Sequence, residues 1–213
     1  MKCSKETLLL YAVTDRSWVG RQTLLEQAED AIRGGATCVQ LREKELEADA
    51  FLEEAVAAKT LCARYGVPLF INDNVEIAVQ CGADGVHVGQ SDLEAGRVRA
   101  LVGEDMILGV SVQTVEQAAA AERAGADYLG AGAVFATATK PDAAEVSLET
   151  LRAICGAVSI PVVAIGGINR DNISRLAGSG ICGAAVVSAI FGAGDIREAC
   201  SVLRRLAEEV VGI

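Results

Sequence analysis

The chain has 213 residues, of which 51% are hydrophobic and 23% charged, so it can bury a substantial core. Its 19 basic and 29 acidic residues give a net charge of −10, and such a surface repels polyanions, so we expect no nucleic-acid partner. No apolar run reaches the roughly 18 residues of a membrane span, and the run at 8–13 is too short for a signal peptide. We therefore expect neither a membrane protein nor a secreted one.

Short apolar runs alternate with longer amphipathic runs along the chain. The strand-like runs cover 8–13, 37–41, 68–71, 85–88, 107–110, 128–130, 161–165 and 183–187. The helix-like runs cover 23–33, 48–65, 75–80, 93–101, 114–124, 148–155, 172–177 and 196–210. Each strand is almost continuously apolar, as expected where both faces of a sheet are covered. Eight strand–helix units predict an α/β fold, a single (β/α)8 TIM barrel that occupies residues 1–213 as one domain.

Glycine-containing turns recur just before predicted strands. They read Gly-Gly-Ala-Thr at 34–37, Cys-Gly-Ala-Asp at 81–84, Ala-Gly-Ala-Asp at 124–127 and Ser-Gly-Ile-Cys at 179–182. Each supplies a glycine where the end of a helix favours a left-handed residue. The alternative architecture is an open doubly wound sheet, but no Gly-x-Gly-x-x-Gly opens a first helix.

The cysteines argue for a reducing compartment. They are Cys3, Cys38, Cys62, Cys81, Cys155, Cys182 and Cys200. Their number is odd and no two form a Cys-x-x-Cys pair, so neither a disulfide framework nor a zinc site is predicted. Most lie in apolar segments, which predicts buried thiols and a cytoplasmic location.

Chemistry in a barrel is expected just after the carboxyl ends of the strands. Strand 2 ends in five residues, Gln40, Leu41, Arg42, Glu43 and Lys44, whose guanidinium and ammonium groups suit phosphate oxygens. Taken alone, the segment fits a solvated charge cluster equally well. Polar residues or glycines also follow the other strands, at 14–16, 72–73, 90–92, 111, 137–140, 166–167 and 188.

Two aspartates follow neighbouring strands and predict a metal site. Asp73 and Asp92 come after strands 3 and 4, and two carboxylates so placed can share one Mg²⁺ with water and phosphate oxygens. Each aspartate alone is better explained as a helix cap. Because they face Arg42 and Lys44 across the same mouth, we favour the metal.

The later strands predict a second anion site. Gly166-Gly167 and Val187-Ser188 follow strands 7 and 8, where this fold commonly binds phosphate through backbone N–H groups, although tight turns need glycine too. Between strands 6 and 7, the long loop 131–147 carries Thr137, Thr139 and Lys140 and is typical of a lid. A plain surface loop is the alternative.

The only histidine, His87, lies within strand 4, where a structural role is favoured over substrate contact. No cysteine or second histidine forms a catalytic dyad with it, so nucleophilic catalysis has no candidate. The residues therefore suit a reaction that joins a diphosphate to a phosphate compound and releases diphosphate.

In chain order these motifs closely resemble those of the thiamine-phosphate synthase family. The matching segments are 11–15, 40–44, 71–73, 85–92, 109–111, 134–140, 164–168 and 187–190. The resemblance implies a transferase that couples 4-amino-2-methyl-5-(diphosphooxymethyl)pyrimidine to 4-methyl-5-(2-phosphoethyl)thiazole, or its 2-carboxy form. The products would be thiamine phosphate and diphosphate, and the two substrates would be its small-molecule partners. A homo-oligomer is left open.

The resemblance also implies roles for particular residues. The pyrimidine diphosphate site would comprise Gln40, Leu41, Arg42, Glu43, Lys44, Asn72, Ser111 and Lys140, of which Arg42, Lys44, Ser111 and Lys140 would be catalytic. The thiazole phosphate site would comprise Thr137, Ala138, Thr139, Gly167, Val187 and Ser188. One Mg²⁺ per subunit would bind Asp73 and Asp92, and diphosphate would leave before the thiazole nitrogen attacks.

The sequence departs from the family pattern at three places. Ala133 and Ala136 stand where the family usually has proline, which predicts a more flexible lid. Gln113 replaces a histidine found in many members.

Two other functions compete with this one. A related thiazole tautomerase has a catalytic histidine where this chain has Ala133. A non-catalytic phosphate sensor would not need both carboxylates together with Lys140.

Overall fold

The computed structural model describes residues 3–20, 22–89, 95–137 and 145–213. Eight parallel strands close into a barrel in chain order, β1 to β8, and β8 pairs with β1. The strands are β1 Leu10–Val13, β2 Cys38–Leu41, β3 Leu69–Asn72, β4 Gly85–Val88, β5 Ile107–Val112, β6 Tyr128–Ala131, β7 Val162–Ile165 and β8 Gly183–Val186. The predicted (β/α)8 barrel is thus confirmed.

Helices cover the outside of the barrel. They are α1 Leu24–Arg33, α2 Ala48–Tyr65, α3 Val75–Gln80, α4 Ala95–Val102, α5 Val115–Arg123, α6 Leu148–Ala157, α7 Ser188–Phe191 and α8 Ile196–Val211. Capping boxes begin α1 and α5 at Thr23 and Thr114. In each box the threonine side chain accepts from the backbone N–H three residues later, and the side chain of that later residue accepts from the threonine N–H. These local signals set the helix starts.

Two elements differ from the prediction. The segment predicted as a helix at 172–177 forms only a short 3-10 helix, Ile173–Leu176. Immediately after β8 the chain turns into α7, a four-residue helix that the apolar pattern did not separate from the strand. Both are too short for a 3.6-residue periodicity to show.

The core has two layers, one on each side of the strands. Outward-facing residues such as Val39 and Leu41 pack against the helices. Inward-facing residues fill the barrel and include Tyr11, Phe70 and Tyr128. Because side chains alternate along a strand, neighbouring residues of β2 belong to different layers.

Polar side chains close the end of the barrel where the strands begin. Asp84 accepts the N–H of Leu69, and Asp127 accepts the N–H of Leu108, each at 2.8 Å. Thr37 does the same for Leu10 at 2.9 Å. Three of the four recurring glycine-containing turns, those at 34–37, 81–84 and 124–127, therefore end in a residue whose side chain holds the start of the preceding strand.

Glycines on the strands make room for the large interior rings. A Cβ at Gly109 would overlap the phenol ring of Tyr128, and one at Gly85 would lie 2.6 Å from the ring of Phe70. A Cβ at Gly130 would lie 3.0 Å from Cε1 of His87. The interior is thus filled by a few large rings, each of which occupies space that a glycine leaves because it has no side chain.

The cysteines are free thiols, and five are buried. Burial raises the pKa of Cys3, Cys62, Cys182 and Cys200 to about 12, so these thiols stay protonated at neutral pH. The prediction of buried thiols is confirmed for Cys3, Cys38, Cys62, Cys182 and Cys200, while Cys81 and Cys155 are partly exposed. Across the described ranges, no helix is both long enough and apolar enough to cross a membrane.

Gly109→Ala is expected to destabilise the barrel by about 1–3 kcal/mol, because the added methyl overpacks the interior against Tyr128. The matched control is Gly156→Ala on the exposed face of α6, where no heavy atom lies within 4 Å of the new Cβ. That change should stabilise the helix by roughly 0.5–1 kcal/mol. Urea unfolding measures both, and equal effects would contradict the packing argument.

Candidate active site

The carboxyl ends of the strands bring most of the predicted site residues to one mouth of the barrel. Asn72 on β3 lies beside His87 on β4, and Ser111 on β5 lies beside Gly130 on β6. Gln40 and Arg42 lie at the end of β2, which neighbours β3. Residues far apart in sequence are therefore gathered into one region.

The side chains of residues 40–44, at the end of β2, point in three different directions. Gln40 points into the barrel and is 4% exposed, while Leu41 packs in the outer layer beneath the helices. The N–H of Arg42 donates to Thr14 Oγ1 at 3.0 Å, and its guanidinium donates to Asp15 at 2.9 Å. Lys44 is exposed. Any ligand contact by Leu41 would come from its backbone.

Glu43 is engaged by a neighbouring arginine. Its side chain is only 1% exposed and receives the Arg16 Nε at 2.9 and 3.1 Å. Arg16 also donates to Glu54 of α2 at 2.7 Å. Burial raises the pKa of Glu54 despite this contact, and the hydrogen bond that Arg16 donates to Glu43 raises the pKa of Arg16. One guanidinium therefore joins two carboxylates and fixes the loops after β1 and β2.

A hydrogen-bonded chain crosses the barrel interior just below the mouth. Gln40 Nε2 donates to the Tyr11 hydroxyl at 2.8 Å, which lies 2.9 Å from the Tyr128 hydroxyl. His87 Nδ1 lies 2.9 Å from the Tyr128 hydroxyl, and its Nε2 lies 2.9 Å from Ser111 Oγ. Burial raises the pKa of both tyrosines well above the ordinary value, so both stay neutral.

Asp73 adopts a conformation that is unusual for its residue type. Its φ is +63°, the only positive value found at a non-glycine residue of the described segments. Its N–H donates to the carbonyl of His87 at 2.8 Å, and its carboxylate accepts the Asn72 amide at 2.6 Å. Such conformations cluster at functional sites. The exposed carboxylate is thereby held at the mouth by two neighbouring strands.

The opposite side of the mouth is formed after β7 and β8. Gly166 and Gly167 have φ of +100° and +65°, and a Cβ at Gly167 would overlap the carbonyl oxygen of Ala136. Val187 precedes α7, whose first residue is the exposed Ser188. The segment ending at Thr137 is thus packed against the Gly166-Gly167 turn.

Four of the predicted site residues, Asp92, Ala138, Thr139 and Lys140, lie outside the described residues. Within the described ranges, no cluster of three or more His, Cys, Asp or Glu residues is arranged to hold a metal. Because Asp92 lies outside the described residues, Asp73 is the one predicted metal ligand whose position is known. Its exposed carboxylate is a hard oxygen donor suited to Mg²⁺.

Sequence reasoning did not identify Tyr11 and Tyr128 as parts of one polar chain. The available signal was a tyrosine on an otherwise apolar inward position, because a buried phenol needs a hydrogen-bond partner. It also gave no role to Asp15 and Arg16, whose ion-pair partners are 27 or more residues away.

Comparison with known proteins agrees with this geometry. The family described as thiamine monophosphate synthase matches residues 10–190. The chain belongs to the thiamine monophosphate synthase family. The family predicted from the motifs is therefore confirmed, as is the class of enzyme, a transferase of thiamine biosynthesis.

Curated relatives and a solved structure match over nearly the full length. Thiamine-phosphate synthase of Ruminiclostridium cellulolyticum is 52% identical over 94% of this chain and 95% of its own. The synthase of Clostridium tetani is 50% identical over 91% of this chain and 93% of its own. The structure of thiamine phosphate pyrophosphorylase from Pyrococcus furiosus is 40% identical, with a TM-score of 0.90 over 98% of this chain and 99% of that one.

Arg16→Met is expected to destabilise the fold by about 1–3 kcal/mol at pH 8, because it leaves Glu43 and Glu54 together without a cation. Burial raises the folded-state pKa of Glu54, and Arg16→Met removes the cation that opposes this, so the loss should shrink as the pH falls towards 5 and this carboxyl takes up a proton. Urea unfolding at several pH values checks this.

The control is Arg197→Met, which removes a pair with Asp30 at an arginine that is 52% exposed. It should cost less than about 1 kcal/mol, with little dependence on pH. A pH-independent loss in Arg16→Met would contradict the assigned role of Arg16.

Proposed function

We propose that the chain joins the pyrimidine diphosphate to the thiazole phosphate and releases diphosphate, forming thiamine phosphate. The observation that carries this proposal is the meeting of Arg42, Asp73, Ser111 and Gly167 at one mouth of a family barrel. The curated relatives that bear the synthase name are about half identical to this chain. The same residues divide into a cationic side and a glycine side, as two phosphorylated substrates require.

The cationic side would bind the diphosphate. Arg42 is held by Thr14 and Asp15, so its guanidinium is oriented before a ligand arrives. Lys44 is exposed and adds a second positive charge. Both groups stabilise the charge that develops as the C–O bond to diphosphate breaks, and stabilising a leaving group in this way needs no protein nucleophile. Lys140, from the loop after β6, would complete the set.

Asp73 and Asp92 would hold one Mg²⁺ per subunit. The Asn72 amide donates to the Asp73 carboxylate, which orients it while leaving further oxygen lone pairs for a cation. When bound, the ion would neutralise charge on the diphosphate oxygens. Asp73, Asn72 and Arg42 together confine the leaving group to one side of the mouth.

The pyrimidine ring would occupy the mouth above the polar chain. Gln40 and Ser111 lie at the two ends of that chain and offer amide and hydroxyl groups to the ring edge. Asn72 lies on the strand between them, beside His87. A planar heterocycle with ring nitrogens and an amino group needs such mixed donors and acceptors.

The glycine side would bind the thiazole phosphate. Gly166 and Gly167 have left-handed conformations and carry no Cβ, so backbone N–H groups can approach an anion closely. Val187 precedes α7 and Ser188 is its first residue, whose exposed hydroxyl would donate to the phosphate. Thr137, Ala138 and Thr139 would close over the phosphate from the loop after β6.

The buried, protonated thiols are consistent with a reducing compartment, and we infer a cytoplasmic location. We further infer that residues 1–213 act as one domain, that the partners are small molecules, and that no nucleic acid binds.

The deciding experiment measures diphosphate release by the purified protein. It is supplied with each substrate alone or both together, in Mg²⁺ or in EDTA. Release and thiamine phosphate formation that need both substrates and Mg²⁺ would support the proposal. Binding of the thiazole phosphate without any release would favour the tautomerase or the sensor instead.

Asp73→Asn is expected to lower kcat by about 100-fold or more, because a ligand of the leaving-group cation is lost. Asparagine tolerates a positive φ, so the fold should persist. The control is Asp105→Asn, an exposed residue in the turn before β5 at the opposite end of the barrel. Steady-state kinetics over a range of Mg²⁺ concentrations checks both, and unchanged turnover in Asp73→Asn would remove Asp73 from the metal site.

Arg42→Ala is expected to weaken pyrimidine diphosphate binding by about 10- to 100-fold, since it removes charge-assisted hydrogen bonds to phosphate. Thiazole phosphate binding should be nearly unchanged. Titration calorimetry with each compound separates the two effects, and Arg205→Ala on the exposed surface of α8 is the control. Equal losses for both compounds would contradict the division of the mouth into two sides.

A further inference from the structure

In the polar chain from Gln40 to Ser111, the number of protons and acceptors decides which group donates in each hydrogen bond. Gln40 donates to Tyr11 through its amide Nε2, which has no acceptor capacity. Among the described residues, the hydroxyl of Tyr11 has Gln40 and Tyr128 as its hydrogen-bonding partners. The single phenolic proton of Tyr11 is therefore donated to Tyr128.

The same counting continues to the mouth. The Tyr128 oxygen accepts from Tyr11, so its own proton is donated to His87 Nδ1 at 2.9 Å. A neutral imidazole that accepts at Nδ1 carries its proton on Nε2. That proton points to Ser111 Oγ at 2.9 Å, so the hydroxyl proton of Ser111 is directed away from His87.

The surrounding structure holds the two tyrosine rings in place. Tyr128 is fully buried and Tyr11 is 1% exposed, so neither can contact a ligand in the mouth. Tyr128 packs edge-on against Phe70, with ring centroids 5.6 Å apart, and lies 5.5 Å from the His87 ring. The absence of side chains at Gly109 and Gly130 gives the Tyr128 and His87 rings their space. The barrel is thus shaped around these rings.

We propose that Tyr128 is a positioning residue, which holds His87 as the Nε2–H tautomer and so makes Ser111 a hydrogen-bond donor toward the pyrimidine ring. This inference rests on the proposed function for its last step, the contact between Ser111 and the pyrimidine. The tautomer itself is a property of the ligand-free protein. Tyr128 acts only through His87 and Ser111.

The experiment exploits the fact that His87 is the only histidine of the chain. With ¹⁵N-labelled histidine, a long-range ¹H–¹⁵N spectrum of the ligand-free protein shows one imidazole, whose two nitrogen shifts report the tautomer. The wild-type protein is expected to show the proton on Nε2. A proton on Nδ1 would mean that the Gln40 amide is turned and every bond reversed, which would overturn the proposal even if no variant folds.

Tyr128→Phe should remove the donor to Nδ1, so the two nitrogen shifts should move towards those of a mixture of tautomers. The matched control is Tyr11→Phe, which deletes an equivalent oxygen one link further away and leaves the bond from Tyr128 to His87. Its tautomer should match the wild type. Unchanged shifts in Tyr128→Phe, or equal changes in both variants, would overturn the proposal.

Kinetics then test whether Tyr128 acts through Ser111. Tyr128→Phe is expected to lower kcat/KM for the pyrimidine diphosphate about 10-fold, equivalent to one hydrogen bond. Ser111→Ala should lower it as well, and adding Tyr128→Phe to Ser111→Ala should cause little further loss. Fully additive losses would overturn the positioning role. A wild-type protein without synthase activity would instead contradict the proposed function, while its imidazole spectrum would still decide the tautomer.

Discussion

Closure of the sheet is the constraint on which the rest of the molecule depends. Strands of four to six residues satisfy their main-chain polar groups only because each pairs on both sides around a complete ring. The ring encloses a narrow interior that must be filled, and Phe70 and the two tyrosines fill it. The hydroxyl groups of the two tyrosines join the polar chain below the mouth, so the same rings that complete the core also support the residues of the mouth.

The two arginines at the mouth, Arg16 and Arg42, have different roles, one structural and one directed towards the ligand. The protein as a whole carries −10, so an anionic substrate has to be attracted by a local set of cations. Arg16 is committed to Glu43 and Glu54 and fixes the loops. Arg42, two residues after Gln40, has one carboxylate partner among the described residues, Asp15. Two arginines that follow neighbouring strands thus have different roles because of where their carboxylate partners lie.

The sequence predicted the architecture and the mouth residues because both follow from local pattern. Apolar runs alternating with amphipathic ones specify strands and helices, and residues after a strand reach the mouth whatever the detailed packing. Partners across the barrel could not be predicted in this way. Tyr11 and Tyr128 are 117 residues apart, and Arg16 and Glu54 are 38 apart, so their pairing depends on strand register and twist. The positive φ of Asp73 could not be predicted either. It accompanies a hydrogen bond to the neighbouring strand, whereas the sequence signals a positive φ only through glycine.

The distribution of the seven thiols has a practical consequence for studying the motions of the molecule. Cys3, Cys38 and Cys182 lie with the interior rings, whereas Cys62 and Cys200 lie between the barrel and its helices. A protonated, inaccessible thiol reacts with an alkylating reagent only when the surrounding structure opens. Labelling rates at single positions would therefore separate detachment of a helix from opening of the strand ring itself, and would give the free energy of each event in the native protein.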